Sequence, residues 1–254
     1  MKLTIIGCSG SFAGPASPAS SYLVQADSGG RTYSILLDLG NGALGALQRH
    51  LDPDDLDAIF ITHLHPDHCM DLTGLYVYRK YRPGAMPQAP VPVHAPGGAR
   101  ERMHEAYEGM DDDGMLGQFA FRTVTQGAVA QVGPLRVTAY RVHHPVEAYG
   151  YRVEADGAVL AYTGDTDACD RLRDLCADAD LVLADSAFVE GRDVLRGIHL
   201  TGRRAAEAAV GAGARRLMLT HIPAWNDPEV CRAQAAEVWP GEVELAAPDA
   251  TYDL

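Results

Sequence analysis

The segment Phe60-Ile61-Thr62-His63-Leu64-His65-Pro66-Asp67-His68 constrains this chain more than any other, because it packs three imidazoles and a carboxylate into six residues directly after a β-type run. Alternation along an extended stretch places His63 and His65 on one side. Pro66, with its fixed φ, turns the chain so that Asp67 and His68 can face the same cavity from a helix start. Neutral imidazole nitrogen and carboxylate oxygen are the ligands zinc takes at about 2.0 to 2.2 Å, and a catalytic site keeps a position open for water. The spacing reads as a metal cluster rather than a helix cap.

Around this segment, short β-type runs at 3–6, 34–37, 58–61, 135–142, 149–153, 159–162 and 181–184 alternate with helical patterns at 71–81, 98–107, 201–212 and 227–238. The elements interleave without a regular βαβ period. No repeat or linker divides the chain, so residues 1–254 read as one α/β domain. The proline-dense 82–92 and the acidic 108–118 read as long surface loops, either of which could border the site.

With 47% hydrophobic and 22% charged residues the chain falls among globular proteins rather than disordered ones. No stretch approaches the roughly 20 apolar residues of a spanning helix, so no membrane partner is expected. The opening Met1-Lys2-Leu3-Thr4-Ile5-Ile6-Gly7 reaches glycine too soon for a secretory signal. Five cysteines without a C-x-x-C pair exclude a zinc ribbon and suit a reducing compartment, so a cytoplasmic location is expected. The formal charge of −13 repels nucleic-acid backbones and stays acidic with two divalent ions added. A small substrate is therefore favoured over a large nucleic acid.

His63, His65, Asp67 and His68 form the pattern His-x-His-x-Asp-His, and in this the chain resembles the metallo-β-lactamase superfamily, especially its ribonuclease Z-like and cyclic-nucleotide phosphodiesterase branch. The resemblance extends over Gly7-Cys8-Ser9-Gly10-Ser11, Asp38-Leu39-Gly40-Asn41-Gly42, His144 with the Gly150-Tyr151 strand, Tyr162-Thr163-Gly164-Asp165-Thr166, His199-Leu200-Thr201 and Thr220-His221-Ile222-Pro223. It implies a four-layer αββα sandwich with metals at the strand ends. It further implies one zinc on His63, His65 and His144, a second on Asp67, His68 and His221, and Asp165 shared between them; manganese or iron can also occupy mixed His and Asp sites. Two ions about 3.5 to 4 Å apart can clamp the attacking and leaving oxygens of an in-line displacement. Where β-lactam-hydrolysing members often use cysteine, this chain has aspartate, which points to phosphoesters.

His199 is the candidate general acid, Asp67 a candidate for orienting the attacking water, and Asp185 a candidate partner of His199 or a turn residue. The expected function is hydrolysis of a small phosphodiester, foremost a 3′,5′-cyclic nucleotide such as cyclic AMP. The alternatives are RNA 3′-end cleavage of the ribonuclease Z kind, hydrolysis of another ester or lactone, and a metal-bound binding or sensor protein. The 21 positions from His144 to Asp165 leave no room for the RNA-gripping arm of transfer RNA processing members. The resemblance also implies a homodimer.

Other features read as structural. His143 and His144 point to opposite faces of a strand, so only one serves the site. His50, His94 and His104 read as surface or turn residues, and Asp111-Asp112-Asp113 as a solvated loop. Gly40-Asn41-Gly42-Ala43-Leu44-Gly45 fits G-x-G-x-x-G but lacks the parallel βαβ context of a dinucleotide fold. The cysteines read as inert, with Cys69, beside His68, the one exposed to oxidation.

Overall fold

Residues 1–84, 89–107 and 115–254 are described in the computed structural model. The first half of the chain supplies strands β1 (Lys2–Gly7), β2 (Ser21–Ser28) and β3 (Arg31–Leu37), helix α1 (Ala43–Leu47), β4 (Ala58–Phe60), α2 (Pro66–Cys69), α3 (Leu72–Tyr81), β5 (Val91–Ala95), α4 (Ala99–Ala106) and β6 (Phe119–Thr123). The second half supplies β7 (Val129–Val132), β8 (Leu135–Arg141), β9 (Tyr149–Ala155), β10 (Ala158–Tyr162), α5 (Arg171–Leu175), β11 (Leu181–Asp185), α6 (Gly202–Gly211), β12 (Leu217–Thr220), α7 (Pro228–Ala236), β13 (Val243–Leu245) and β14 (Thr251–Asp253).

The strands form two mixed seven-stranded sheets, ordered β14-β1-β2-β3-β4-β5-β6 and β13-β12-β11-β10-β9-β8-β7. Strand alternation sorts the side chains into layers. Ile35 and Leu37 join Leu3, Ile5, Tyr22, Phe60, Tyr151, Leu160 and Leu183 in the core between the sheets. Leu36, with the opposite parity, packs with Ile59, Leu72, Leu75 and Met103 beneath the helices of the first half. Val182, Leu217 and Leu219 do the same beneath the helices of the second, with Leu172, Ala205 and Cys231. The result is a four-layer αββα sandwich.

Local signals set the boundaries. Thr201 caps α6, its hydroxyl accepting from the Arg204 amide. Asp227 caps α7 ahead of Pro228 at the first helical position. Asp156 and Gly157, with φ of 54° and 80°, close the two-residue hairpin between β9 and β10.

The expectation of no regular βαβ period is corrected in both halves: β3, β4, β5 and β6 run parallel, joined in turn through α1, through α2 and α3, and through α4. Strands β10, β11, β12 and β13 run parallel and are joined in turn through α5, α6 and α7. The short central strands β11 and β12 are buried throughout and show no period-2 alternation, so the pattern hides in the sequence. The stretch expected as an 82–92 loop yields Val91 and Pro92 to β5. Of 108–118, residues 115–118 form a turn, while the Asp111-Asp112-Asp113 run lies outside the described residues.

Candidate metal centre

Parallel strands carry their carboxyl ends to one edge of the sandwich, where ligands gather in open α/β sheets. Asp38 follows β3, His63 follows β4, Asp165 follows β10, Asp185 ends β11 and His221 follows β12, while His144 comes from the turn after β8. Within 62–68 the chain leaves β4 extended, and Pro66 takes the first position of α2 with His65 as the preceding cap residue. His63 and His65 therefore face one another, Nε2 to Nδ1, at 2.9 Å. Asp67 and His68 lie on the first turn of α2.

Two adjoining groups result, with ligand atoms all within 4.8 Å of one another in each: His63, His65 and His144; and Asp67, His68, Asp165 and His221. His144 Nε2 is 3.3 Å from His65 Nδ1. Asp165 spans the two groups, with Oδ2 at 3.7 Å from His63 Nε2 and 3.2 Å from His221 Nε2, and Oδ1 at 3.2 Å from His68 Nε2. Asp67 Oδ2 stands 3.3 Å from His68 Nε2 and 3.8 Å from His221 Nε2.

Donors about 2.0 to 2.2 Å from a tetrahedral ion lie roughly 3.3 to 3.6 Å from each other, which matches these separations. His68 Nε2 and Asp165 Oδ1 are buried without a hydrogen-bond partner although they face one another. Buried polar atoms are rarely left so. A divalent metal fits both the spacing and the orphaned atoms.

The imidazoles are held from behind, which fixes which nitrogen each presents. His68 Nδ1–H donates to Asp38 Oδ2 at 2.8 Å, and His144 Nδ1–H donates to the Ile198 carbonyl at 2.9 Å. Ser20 Oγ lies 2.9 Å from His221 Nδ1, and Thr62 Oγ1 lies 3.1 Å from His63 Nδ1. Asp38 also accepts from the Thr62 amide and hydroxyl and from the Tyr162 hydroxyl. Asp38, Ser20 and Ile198 are supports that the motif reading did not assign.

Charge is concentrated here. Burial pushes His63 well below the ordinary histidine value, aided by the charge of His68. His68 is also opposed by burial, but Asp165, Asp38 and Asp67 outweigh it and raise it well above. Asp165 is held well below the carboxylate range despite its burial, by His221 and His68 first. Asp67 is likewise lowered, His68 overcoming burial.

His199 lies beside this cluster. Its Nδ1–H donates to Asp185 Oδ2 at 2.9 Å, and the same nitrogen is 3.9 Å from Asp165 Oδ2. Burial opposes its charge, yet the Asp185 carboxylate raises it to about 9. Asp185 is further held by the amides of Thr166 and Ala187. The ring of Phe188 packs edge-on against His199 at 5.1 Å.

The residues set aside in the sequence fall elsewhere, with two corrections. His143 is exposed while His144 is buried. His50 pairs with Asp249 at the surface, and His104 lies on α4. His94 is not a turn residue: it sits in β5, stacked on Phe60 at 4.5 Å, and burial lowers it to about 4. Cys69 is buried, and burial pushes its thiol to about 12, so it is held unreactive rather than exposed to oxidation. As for the glycine-rich turn, β3 and β4 do run parallel around α1. However, a Cβ at Gly40 would collide with the Asp67 carbonyl, so that glycine admits α2, which carries Asp67 and His68.

The β-lactamase superfamily domain matches residues 33–222. An uncharacterised protein of Mycobacterium leprae is 38% identical over the full chain and 89% of its own length. The probable metallo-hydrolase YhfI of Bacillus subtilis is 29% identical, covering 97% of each chain. A ribonuclease Z of Bacillus licheniformis is 27% identical over 70% of this chain and 74% of its own. The crystal structure of YhfI superposes with a TM-score of 0.86 at 25% identity, covering 99% of both chains. That of the short form of human tRNase Z gives 0.78 at 22%, covering 100% of this chain and 99% of its own. Together with the clustered imidazoles and carboxylates, these matches make the chain a member of the β-lactamase superfamily, a metal-dependent hydrolase of its ribonuclease Z-like branch.

Proposed function

We propose that the chain hydrolyses a small phosphodiester, foremost a 3′,5′-cyclic nucleotide such as cyclic AMP, with two divalent ions, zinc in the first place. In this reading His63, His65 and His144 hold one ion, Asp67, His68 and His221 hold the other, and Asp165 serves both. When bound, such a pair supplies Lewis acidity toward phosphoryl oxygens and lowers the pKa of water. The free oxygen of Asp67 orients the attacking water. His199 gives its proton to the departing alkoxide, and Asp185 keeps Nδ1 occupied so that Nε2 is the donor.

The observation that carries the proposal is the His199–Asp185 pair at 2.9 Å beside the metal-ligand cluster, raised to about 9 and thus protonated at neutral pH. Opening a cyclic phosphodiester releases an alkoxide that must be protonated, and a positioned acid contributes roughly 10²- to 10⁴-fold. A small substrate is favoured because β9 and β10 are joined by a two-residue turn, which leaves no inserted arm between His144 and Asp165. The acidic balance of the chain supports the same choice. The second reading, RNA 3′-end cleavage, is favoured by the similarity to ribonuclease Z sequences.

The test is turnover by metal-replete protein on cyclic AMP, cyclic GMP and a precursor transfer RNA, with metal content quantified in the same preparation. Faster opening of a cyclic nucleotide, abolished by chelation, is expected. Preferential RNA cleavage would establish the second reading. No turnover with two metals bound would sink both and leave another ester, a lactone or a binding role.

A further inference from the structure

Two aromatic side chains stand exposed on loops that adjoin the candidate ligand His221. Phe12 is 41% and Trp225 63% solvent-exposed, and their rings meet at a centroid distance of 5.0 Å and an angle of 42°. Both belong to loops that touch His221. The Ser11 amide lies 3.4 Å from His221 Nε2, so Phe12 follows a residue already at the ligand. Trp225 comes four residues after His221, in the turn closed by the Asn226 amide on the Pro223 carbonyl at 2.8 Å.

These loops are stitched together. The Gly10 amide donates to the Ile222 carbonyl, Ser9 and Ile222 form an isolated bridge, and a Cβ on Gly14 would press on Ala224. Asn226 is buried, donating to the Ala187 carbonyl and accepting from Arg192 Nη1 at 2.8 Å. The ring pair is thus presented on a fixed frame, so ordering it costs little when something binds.

We propose that Phe12 and Trp225 form the subsite for the planar heterocyclic base of the substrate, an inference that rests on the nucleotide reading above. The candidate ligands, imidazoles and carboxylates, suit the phosphoryl end of such a molecule, which leaves its base to be held by other residues. A single base stacked on an aromatic platform fits this ring pair, and every base has a π-face to offer. The subsite therefore discriminates nucleotides from base-free phosphodiesters more than one base from another.

The test uses the metal-loaded full chain and the emission of Trp225, since the other tryptophan, Trp239, is buried. Adenosine 5′-monophosphate should quench emission saturably, ribose 5-phosphate should not, and Trp225→Ala should remove the quench. In that variant KM for cyclic AMP should rise about tenfold, with most of the change in KM rather than kcat. Trp225→Phe should restore most of it, and Phe12→Ala should weaken binding in the same direction. Equal quenching by ribose 5-phosphate, or an unchanged KM in Trp225→Ala, would overturn the subsite. Turnover of cyclic AMP without quenching would remove the subsite and leave the function standing. Quenching by the nucleotide, lost in Trp225→Ala, without turnover of any cyclic nucleotide would keep the subsite and remove the function.

Discussion

Asp185 decides what His199 can do. A lone histidine titrates near 6.5, whereas the Asp185 carboxylate, against the pull of burial, raises His199 to about 9. The group is a proton donor below that value, so turnover should fall as pH rises through about 9. Replacing Asp185 with Asn removes the charge but keeps an oxygen for the ring, and the basic limb of the pH–rate profile should move down toward neutrality. An unmoved limb would show that another group sets it. The sign for stability is the same: the pair contributes fully below pH 6.5, and its contribution is lost as pH rises through about 9.

Legibility at this scale divided by distance along the chain. His63, His65, Asp67 and His68 could be read because six residues carry their own geometry. Asp38 could be seen within a turn, but not as the anchor of His68, 30 residues on, and of Tyr162, 124 residues on. Its backbone, at φ 60°, is a conformation non-glycine residues seldom take, set by the packing of β3 and β4 rather than by any local signal.

Among the elements, the segment between β11 and α6 carries His199, and Asp167 is one of the points that fasten it. Asp167 accepts from Arg204 Nη1 at 2.6 Å, from Arg196 Nε at 2.7 Å and from the Gly197 amide at 2.7 Å. Arg204, on α6, reaches the His199 carbonyl as well. The two arginines are not equal. Arg204 and Asp167 are both buried, and removing one partner of such a pair costs about 3 to 5 kcal/mol, because the other charge loses its buried counterpart, Arg204 keeping only the partly exposed Glu190 at 3.5 Å. Arg196 is 63% exposed, and an exposed pair contributes about 0 to 1 kcal/mol. Urea unfolding of Asp167→Asn should therefore show a loss of several kcal/mol, and Arg196→Ala little. Equal losses would refute the division. The helix α6 itself was readable from its alanines and its Thr201 cap. The clasp was not, because Asp167 and Arg204 meet only once β10 and α6 pack.

For the whole molecule, the seven candidate ligands come from four places, the 63–68 segment after β4, His144 after β8, Asp165 after β10 and His221 after β12, so a bound metal would tie both sheets together. A ligand at a hundred times its dissociation constant adds about 2.7 kcal/mol to the folded state. In a chain of this size that corresponds to roughly 5 to 10 °C in Tm. Scanning calorimetry with and without chelator should show that drop, and identical transitions would mean the cluster holds no metal. The sandwich was legible through the family resemblance. The parallel run β10 to β13 was not, since four-residue strands such as Leu217–Thr220, buried on both faces, carry no alternation to read.

The pairing of β1 with β14 joins Lys2 to Asp253. During synthesis at about 5 to 20 residues per second, β1 waits roughly ten to fifty seconds for β14, the neighbour that covers its outer edge. An open strand edge is a template for other chains. The nascent protein is therefore vulnerable to misassociation at β1 until β14 is made, and slower translation of the stretch between them should lower the yield of correctly folded product.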